Sequence, residues 1–305
     1  MTPSRSSLVF LSALAVFAPA SPAEETPPPF YTATALTPIG GFTHGIEGPA
    51  SDAAGNVYAV NGPGPQTIFK TTPQGVCELF VTLSGKSNGN GIRFGRDGTM
   101  YIADCTEHNV LRVDMKTRAI SVLAHEDRMN QPNDLAIAPD GTLYASDPNW
   151  GDGTGQLWRI DPHGHVERLA EHVGTTNGIE VSPDGHTLYV NESVQRNVWA
   201  YTIAADGSLT EKRLLRQFED GLLDGMRCDV DGNLYVTRPG KGVVTELSPR
   251  GEVLREIGVL GAKPSNLCFG GPDGCTVYVT EVEQRRFVQF RVERPGLEWQ
   301  RWQEK

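Results

Sequence analysis

Six side chains carrying oxygen donors recur at nearly even spacing along the chain: Glu47, Asn90, Asn133, Asn177, Asp224 and Asn266, separated by 43, 43, 44, 47 and 42 residues. Brought to one place, six such oxygens with no His or Cys among them suit a hard cation that takes six to eight oxygen ligands at flexible distances. Ca²⁺ fits best, and Mg²⁺, Mn²⁺ or Zn²⁺ could substitute because intrinsic affinities favour transition metals. The two carboxylates, Glu47 and Asp224, would cancel the charge of one divalent ion and would repel each other without it. Three or four of the six would touch the ion, and the others would hold waters or backbone groups. One Asn or Asp at the start of a strand is commonly a cap or turn residue. Six in register ask for a shared purpose.

The elements that must position them are visible in the same repeat. The copies read EGPASDAAGNVYAVN from Glu47, NGIRFGRDGTMYIAD from Asn90, NDLAIAPDGTLYASD from Asn133, NGIEVSPDGHTLYVNE from Asn177, DGMRCDVDGNLYVTR from Asp224 and NLCFGGPDGCTVYVTE from Asn266. Each is an alternating apolar strand, a turn built on Asp-Gly or a similar glycine, and a second strand, which is a hairpin signal. Two further strand-like segments follow, such as NVLRVD and AISVLAH. Four antiparallel strands in a period of about 43 residues match one blade of an all-β, six-bladed β-propeller. The first strand of each blade lines the central channel, so equivalent positions share one axial space. FYTATAL, ahead of the first repeat, is expected to add a strand to the last blade and latch the ring. No segment reads as a long amphipathic helix, and Trp158, Trp199, Trp299 and Trp302 fall at alternating, strand-like positions. Trp150, in a WGDGTG loop, could sit over the channel mouth.

Residues 1–23 combine Arg5, an apolar run from Leu8 to Phe17 and small residues near Ala20 and Ala23, the pattern of a cleaved export signal. This leaves 24–305 as one propeller domain, expected in a periplasm or outside the cell. With 27 basic and 37 acidic residues and no basic patch, the composition argues against nucleic acid or an anionic membrane as partner. It carries no signal of oligomeric state. Of the five cysteines, Cys268 and Cys275 flank a GGPDG turn and form the first candidate for a bridge, while small buried thiols are the plainer expectation.

NQPNDLAIAPDGTLYASDP at 130–148, TTNGIEVSPDGHTLYVNES at 175–193 and NLCFGGPDGCTVYVTE at 266–281 resemble the SMP-30/gluconolactonase/LRE-like family of six-bladed propellers, and the resemblance covers essentially the whole chain after the export signal. It implies a metal held by Glu47, Asn177 and Asp224, with Asn133 completing the shell or contacting substrate and Asp134 beside the pocket. Asn90 and Asn266 are taken as further substrate contacts. Family members acting on aldonolactones can carry an arginine where this chain has Gln131, and His44, Arg227 and Arg238 are the cations that could replace it.

The chemistry implied is metal-dependent hydrolysis of a sugar lactone or small ester. The ion polarises the carbonyl, and Asp224 is the first choice of base, with Asp134 and His44 in reserve. The same arrangement would suit phosphoester or organophosphate hydrolysis, and a non-catalytic binding propeller with a structural Ca²⁺ is the remaining alternative. A serine-hydrolase mechanism has no support, because no GxSxG elbow is present and Ser146 and Ser193 lie at strand ends.

Overall fold

The computed structural model describes residues 29–62 and 66–303. Six four-stranded antiparallel sheets make a β-propeller. Blades 1 to 5 occupy residues 45–82, 89–125, 135–173, 176–217 and 226–258, each running in chain order from the inner to the outer strand. Blade 6 takes three strands from 264–291 and its outer strand from Thr34–Ala35, where Thr34 pairs with Gln289 and Ala35 with Val288. The N-terminal latch expected from FYTATAL is therefore present, and it covers an edge that would otherwise be unpaired. The expected export signal lies outside the described residues.

The alternation of each strand divides its side chains between two neighbours. In the second strand of blade 1 (Val57–Gly62), Tyr58 and Val60 pack against Ile92, Met100 and Leu111 of blade 2. Val57 and Ala59 pack the other way, against Cys268, Tyr278 and Phe287 of blade 6. One apolar cluster of this kind fills each of the six blade interfaces. The inner hairpins turn as the Asp-Gly pattern requires: at Asp140-Gly141, the Asp140 carboxylate accepts from Thr142 N–H at 2.9 Å and Gly141 takes φ +87°.

Two readings of the sequence need correction. The C-terminal segment is a short helix, α1 (Leu297–Gln303), so Trp299 and Trp302 lie on a helix and not on a strand. Pro295-Gly296 and the i, i+3 spacing of the two tryptophans were the available signal. The five cysteines are free thiols, and Cys268 and Cys275 are not bridged. The register separates them, because Cys268 is wholly buried in the cluster between blades 6 and 1, whereas Cys275 lies in the turn and packs on the cluster between blades 5 and 6.

Candidate metal centre

The register of the inner hairpins fixes which residues are equivalent. A tyrosine of each second strand pairs across with Ala50, Arg93, Ala136, Glu180, Arg227 and Cys268 in turn. Three residues before each of these stand Glu47, Asn90, Asn133, Asn177, Asp224 and Ser265. The sixth copy is thus offset by one from the sequence alignment, and Ser265 occupies the level at which Asn266 had been placed. The reason is the next level down, which holds Gly48, Gly91, Asp134, Gly178, Gly225 and Asn266. Four glycines mark it in sequence, but the third and sixth copies carry side chains there.

Those glycines let adjacent inner strands touch. A Cβ on Gly178 would lie 2.4 Å from the Asp224 carbonyl oxygen, and one on Gly91 would lie 2.3 Å from Asp134 Oδ1. Gly91 N–H donates to Asn133 O at 2.7 Å and Gly178 N–H to Asp224 O at 3.2 Å, so each axial residue is tied to the next blade. A polar residue at or near the end of the second strand steadies the approach. Asp147 accepts from the N–H groups of Asn130 and Gln131 at 2.8 and 2.6 Å, which holds the loop leading to Asn133. Asp104, Glu192 and Glu281 do the same for Asn88, Gly174 and Lys263, at 2.9, 3.0 and 2.9 Å. Asn191 clamps blade 5 to blade 4, accepting from Gly178 N–H and donating to Asp224 O.

The electrostatics separate two zones. In the upper one, burial pushes the Glu47 carboxyl up to about 7. Its own Gly48 N–H pulls it partly back, Asp134 adds to the rise, and Asn266 and Ser265 lower it again. Burial also holds the Asp224 carboxyl well above the usual range, with Glu47 and Asp134 adding to this and Asn177 opposing it. Asn90 Oδ1 and Asn177 Oδ1 are buried with no hydrogen-bond partner. Two carboxyls raised by burial and two orphaned amide oxygens at one level fit a cation, because a cation would both favour ionisation of the acids and satisfy the oxygens. Among the described residues no trio of His, Cys, Asp or Glu gathers to hold a metal, so any such centre has to draw on asparagines.

The lower zone is a buried charge network. Asp134 is fully buried, and its two oxygens meet Arg93 Nη1 at 3.1 Å and Arg227 Nη1 at 3.0 Å, with Asn266 Nδ2 at 3.4 Å. Burial opposes its ionisation, yet Arg227 and Arg93 hold its carboxyl below the ordinary value. Beneath the guanidinium pair, Glu298 of α1 places Oε1 3.0 Å from Arg93 Nε and 3.9 Å from Arg227 Nε, ion-paired without hydrogen-bond alignment. Glu180, fully enclosed beside them, is raised to about 7 by burial against the pull of Arg93. The helix thus closes this end of the channel, and Arg301 fastens it to the Ile137 carbonyl at 2.6 Å.

The other end is open. A cavity of about 570 Å³ is lined by Asp224 and Ser265 at its inner end and by Arg196, Leu222, Pro239 and Lys263 further out. Asp224 therefore faces the mouth, whereas Asp134 is held in the charge network below. His44 is exposed three residues before Glu47. Arg227 and Arg238, named as replacements for an arginine at Gln131, are both buried in ion pairs, the latter with Asp220 and Glu256. Sequence reasoning missed Arg93, Glu180 and Glu298, because a charge at an inner-strand position looks like any other polar residue until its neighbours are known. Ser146 is buried and supports the loop, its Oγ accepting from Asp134 N–H at 3.1 Å.

The SMP-30/Gluconolactonase/LRE-like region matches residues 46–283. The chain belongs to this family. The matched stretch contains every residue of the upper zone and ends before α1. The gluconolactonase of Zymomonas mobilis subsp. mobilis is 31% identical over 270 residues, covering 77% of this chain and 75% of that protein. The 6-deoxy-6-sulfogluconolactonase of Pseudomonas putida is 31% identical over 163 residues, 52% of this chain and 56% of its own. Among solved structures, a gluconolactonase from Xanthomonas campestris shares the fold with a TM-score of 0.74 at 22% identity, over 90% of this chain and 98% of that one.

Proposed function

We propose that this SMP-30/gluconolactonase-like propeller hydrolyses a sugar lactone with the help of one divalent cation, Ca²⁺ by preference. Glu47, Asn177 and Asp224 would hold the ion, with Asn133 completing the shell. When bound, the ion would supply Lewis-acid polarisation of the lactone carbonyl. The observation that carries the reading is the orphaned oxygen of Asn177 beside the carboxyls of Glu47 and Asp224, both raised by burial, with Asp224 lining the open mouth. The relatives named as lactonases point the same way.

Asp224 is the base. Asp224 lines the mouth, and an oxygen of its carboxylate left free of the ion would take a proton from the attacking water. Asn90 and Asn133, at the same level, orient the substrate through their amides. Asp134 acts from below as a positioning group, because both its oxygens are occupied by guanidinium groups.

The test is hydrolysis of a panel of aldonolactones, aryl esters and phosphoesters before and after chelation, with Ca²⁺, Zn²⁺ or Mn²⁺ added back. Lactone turnover that disappears on chelation and returns with metal is expected, and Asp224→Asn should abolish turnover while metal binding falls only in part. Lactone turnover that ignores a complete stripping of the ion would end the metal mechanism. Near wild-type hydrolysis by Asp224→Asn would remove that residue from the base role.

A further inference from the structure

The mouth cavity carries two positive charges that the chemistry above does not use. Arg196, in the turn between the second and third strands of blade 4, donates Nη1 to the Glu219 carbonyl at 2.6 Å, and its Nε is buried without a hydrogen-bond partner. Lys263, in the loop that enters blade 6, is exposed, and its ammonium group has no ion pair or hydrogen bond among the described residues.

The neighbouring cations are arranged differently. Arg238 lies 2.6 Å from Asp220 and 3.5 Å from Glu256, and Lys241 lies 3.1 and 2.8 Å from the same two carboxylates. Glu281, 18 residues beyond Lys263 at the end of the second strand of blade 6, is fully buried and turned to the backbone, accepting from the N–H groups of Lys263 and Gln284 at 2.9 and 2.7 Å. Asp224, at the inner end, is the only carboxylate lining the cavity among the described residues. A chain of net charge −10 thus leaves two cations uncompensated on the walls of the space that reaches its own candidate base.

We infer that this cavity is a subsite for an anionic substituent of the substrate, a carboxylate or another oxyanion at the end of the sugar remote from the lactone carbonyl, held by Arg196 and Lys263. The inference rests on the lactonase reading for the orientation of the substrate. Arg196 and Lys263 line the cavity without a carboxylate partner of their own among the described residues, so an incoming anion meets their attraction. The cavity, at about 570 Å³, lies within the range of small-molecule sites.

The test compares D-glucono-1,4-lactone with D-glucaro-1,4-lactone, which share ring size and carbonyl and differ by a terminal carboxylate. The ratio of their kcat/KM values is read for the wild type, Lys263→Gln, Lys263→Glu and Arg196→Gln. The anionic lactone should be preferred by roughly tenfold or more, and each neutral variant should lower the ratio by roughly tenfold, the scale of one charged hydrogen bond. Lys263→Glu should lower it further. Titration calorimetry of the products, gluconate and glucarate, supplies a readout independent of turnover: glucarate should bind more tightly to the wild type and lose that advantage in Lys263→Gln. Equal kcat/KM for the two lactones, or a preference unchanged in all three variants, overturns the subsite. If neither lactone is hydrolysed the lactonase reading falls, and the subsite then stands or falls on glucarate binding alone.

Discussion

Removal of the Asp134 carboxylate isolates the buried charge network. Asp134→Ala would leave Arg93 and Arg227, both essentially without solvent exposure, facing the channel with no anion where two oxygens had stood at 3.1 and 3.0 Å. Breaking a buried ion pair by deleting one partner costs about 3–5 kcal/mol, because the remaining charge cannot be solvated. Two factors temper a doubling of that figure. Glu298 stays 3.0 Å from Arg93, and Glu180, with its carboxyl near pH 7, can ionise to compensate. A loss of about 4 kcal/mol follows, or a fall in Tm on the order of 10 °C for a chain of this size. The Arg227 and Arg93 contacts hold the carboxyl below its ordinary value of 3.8, so this stabilisation is present above the unfolded pKa and disappears as pH falls through the folded one. Urea unfolding at pH 7 and at about pH 3.5, with chelator in both, reads the effect. A cycle with Arg227→Met should recover at least about 1 kcal/mol in the double variant, since the second change removes the stranded charge. A loss below about 1 kcal/mol for Asp134→Ala at neutral pH, or strictly additive single variants, would refute the reasoning.

Glu47 and Glu180 both have carboxyls raised from 4.5 to about 7, so the stability they give the ion-free protein is full below about pH 4.5 and lost as pH rises through about 7. Thermal unfolding in chelator should show this decline, and Ca²⁺ should remove the Glu47 part of it while its affinity rises from pH 6 to pH 8 with release of protons; a Ca²⁺ affinity independent of pH counts against the assignment. Gly178→Ala would force a methyl group to 2.4 Å from the Asp224 carbonyl oxygen and 2.5 Å from Asn191 Nδ2, so a loss of about 1–3 kcal/mol and weaker Ca²⁺ binding are expected, whereas Gly258→Ala, whose added methyl meets nothing, should leave Ca²⁺ binding unchanged. Glu298→Gln should destabilise by about 1–2 kcal/mol in urea unfolding, less than Asp134→Ala because its side chain is 16% exposed; no change would show that α1 is held without the Glu298 charge.

Much of the architecture was legible in the chain, for local reasons. Hairpin turns at Asp-Gly, two-residue alternation and a repeat near 43 residues are properties of neighbours in sequence, and repetition made the ring readable six times over. The shared level of Glu47, Asn90, Asn133, Asn177 and Asp224 was legible by the same route, because the glycine that follows four of them is needed for strand contact at the axis. The sixth copy, PSNLCF, lacks that glycine, and its Asn drew the alignment one residue off, so that only the pairing of Cys268 with Tyr278 put Ser265 at the axial level.

What the sequence determined alone, then, was the blade and the ring of oxygens, since both depend on spacing. Tertiary structure decided which charges meet: Asp134 with Arg93 and Arg227 from three different blades, Glu298 brought beneath them by a helix at the far end of the chain, and Arg196 with Lys263 across one mouth. A charge shows its sign in the sequence, but its energy depends on burial and on the distance to its partners, and those are set only when the ring closes.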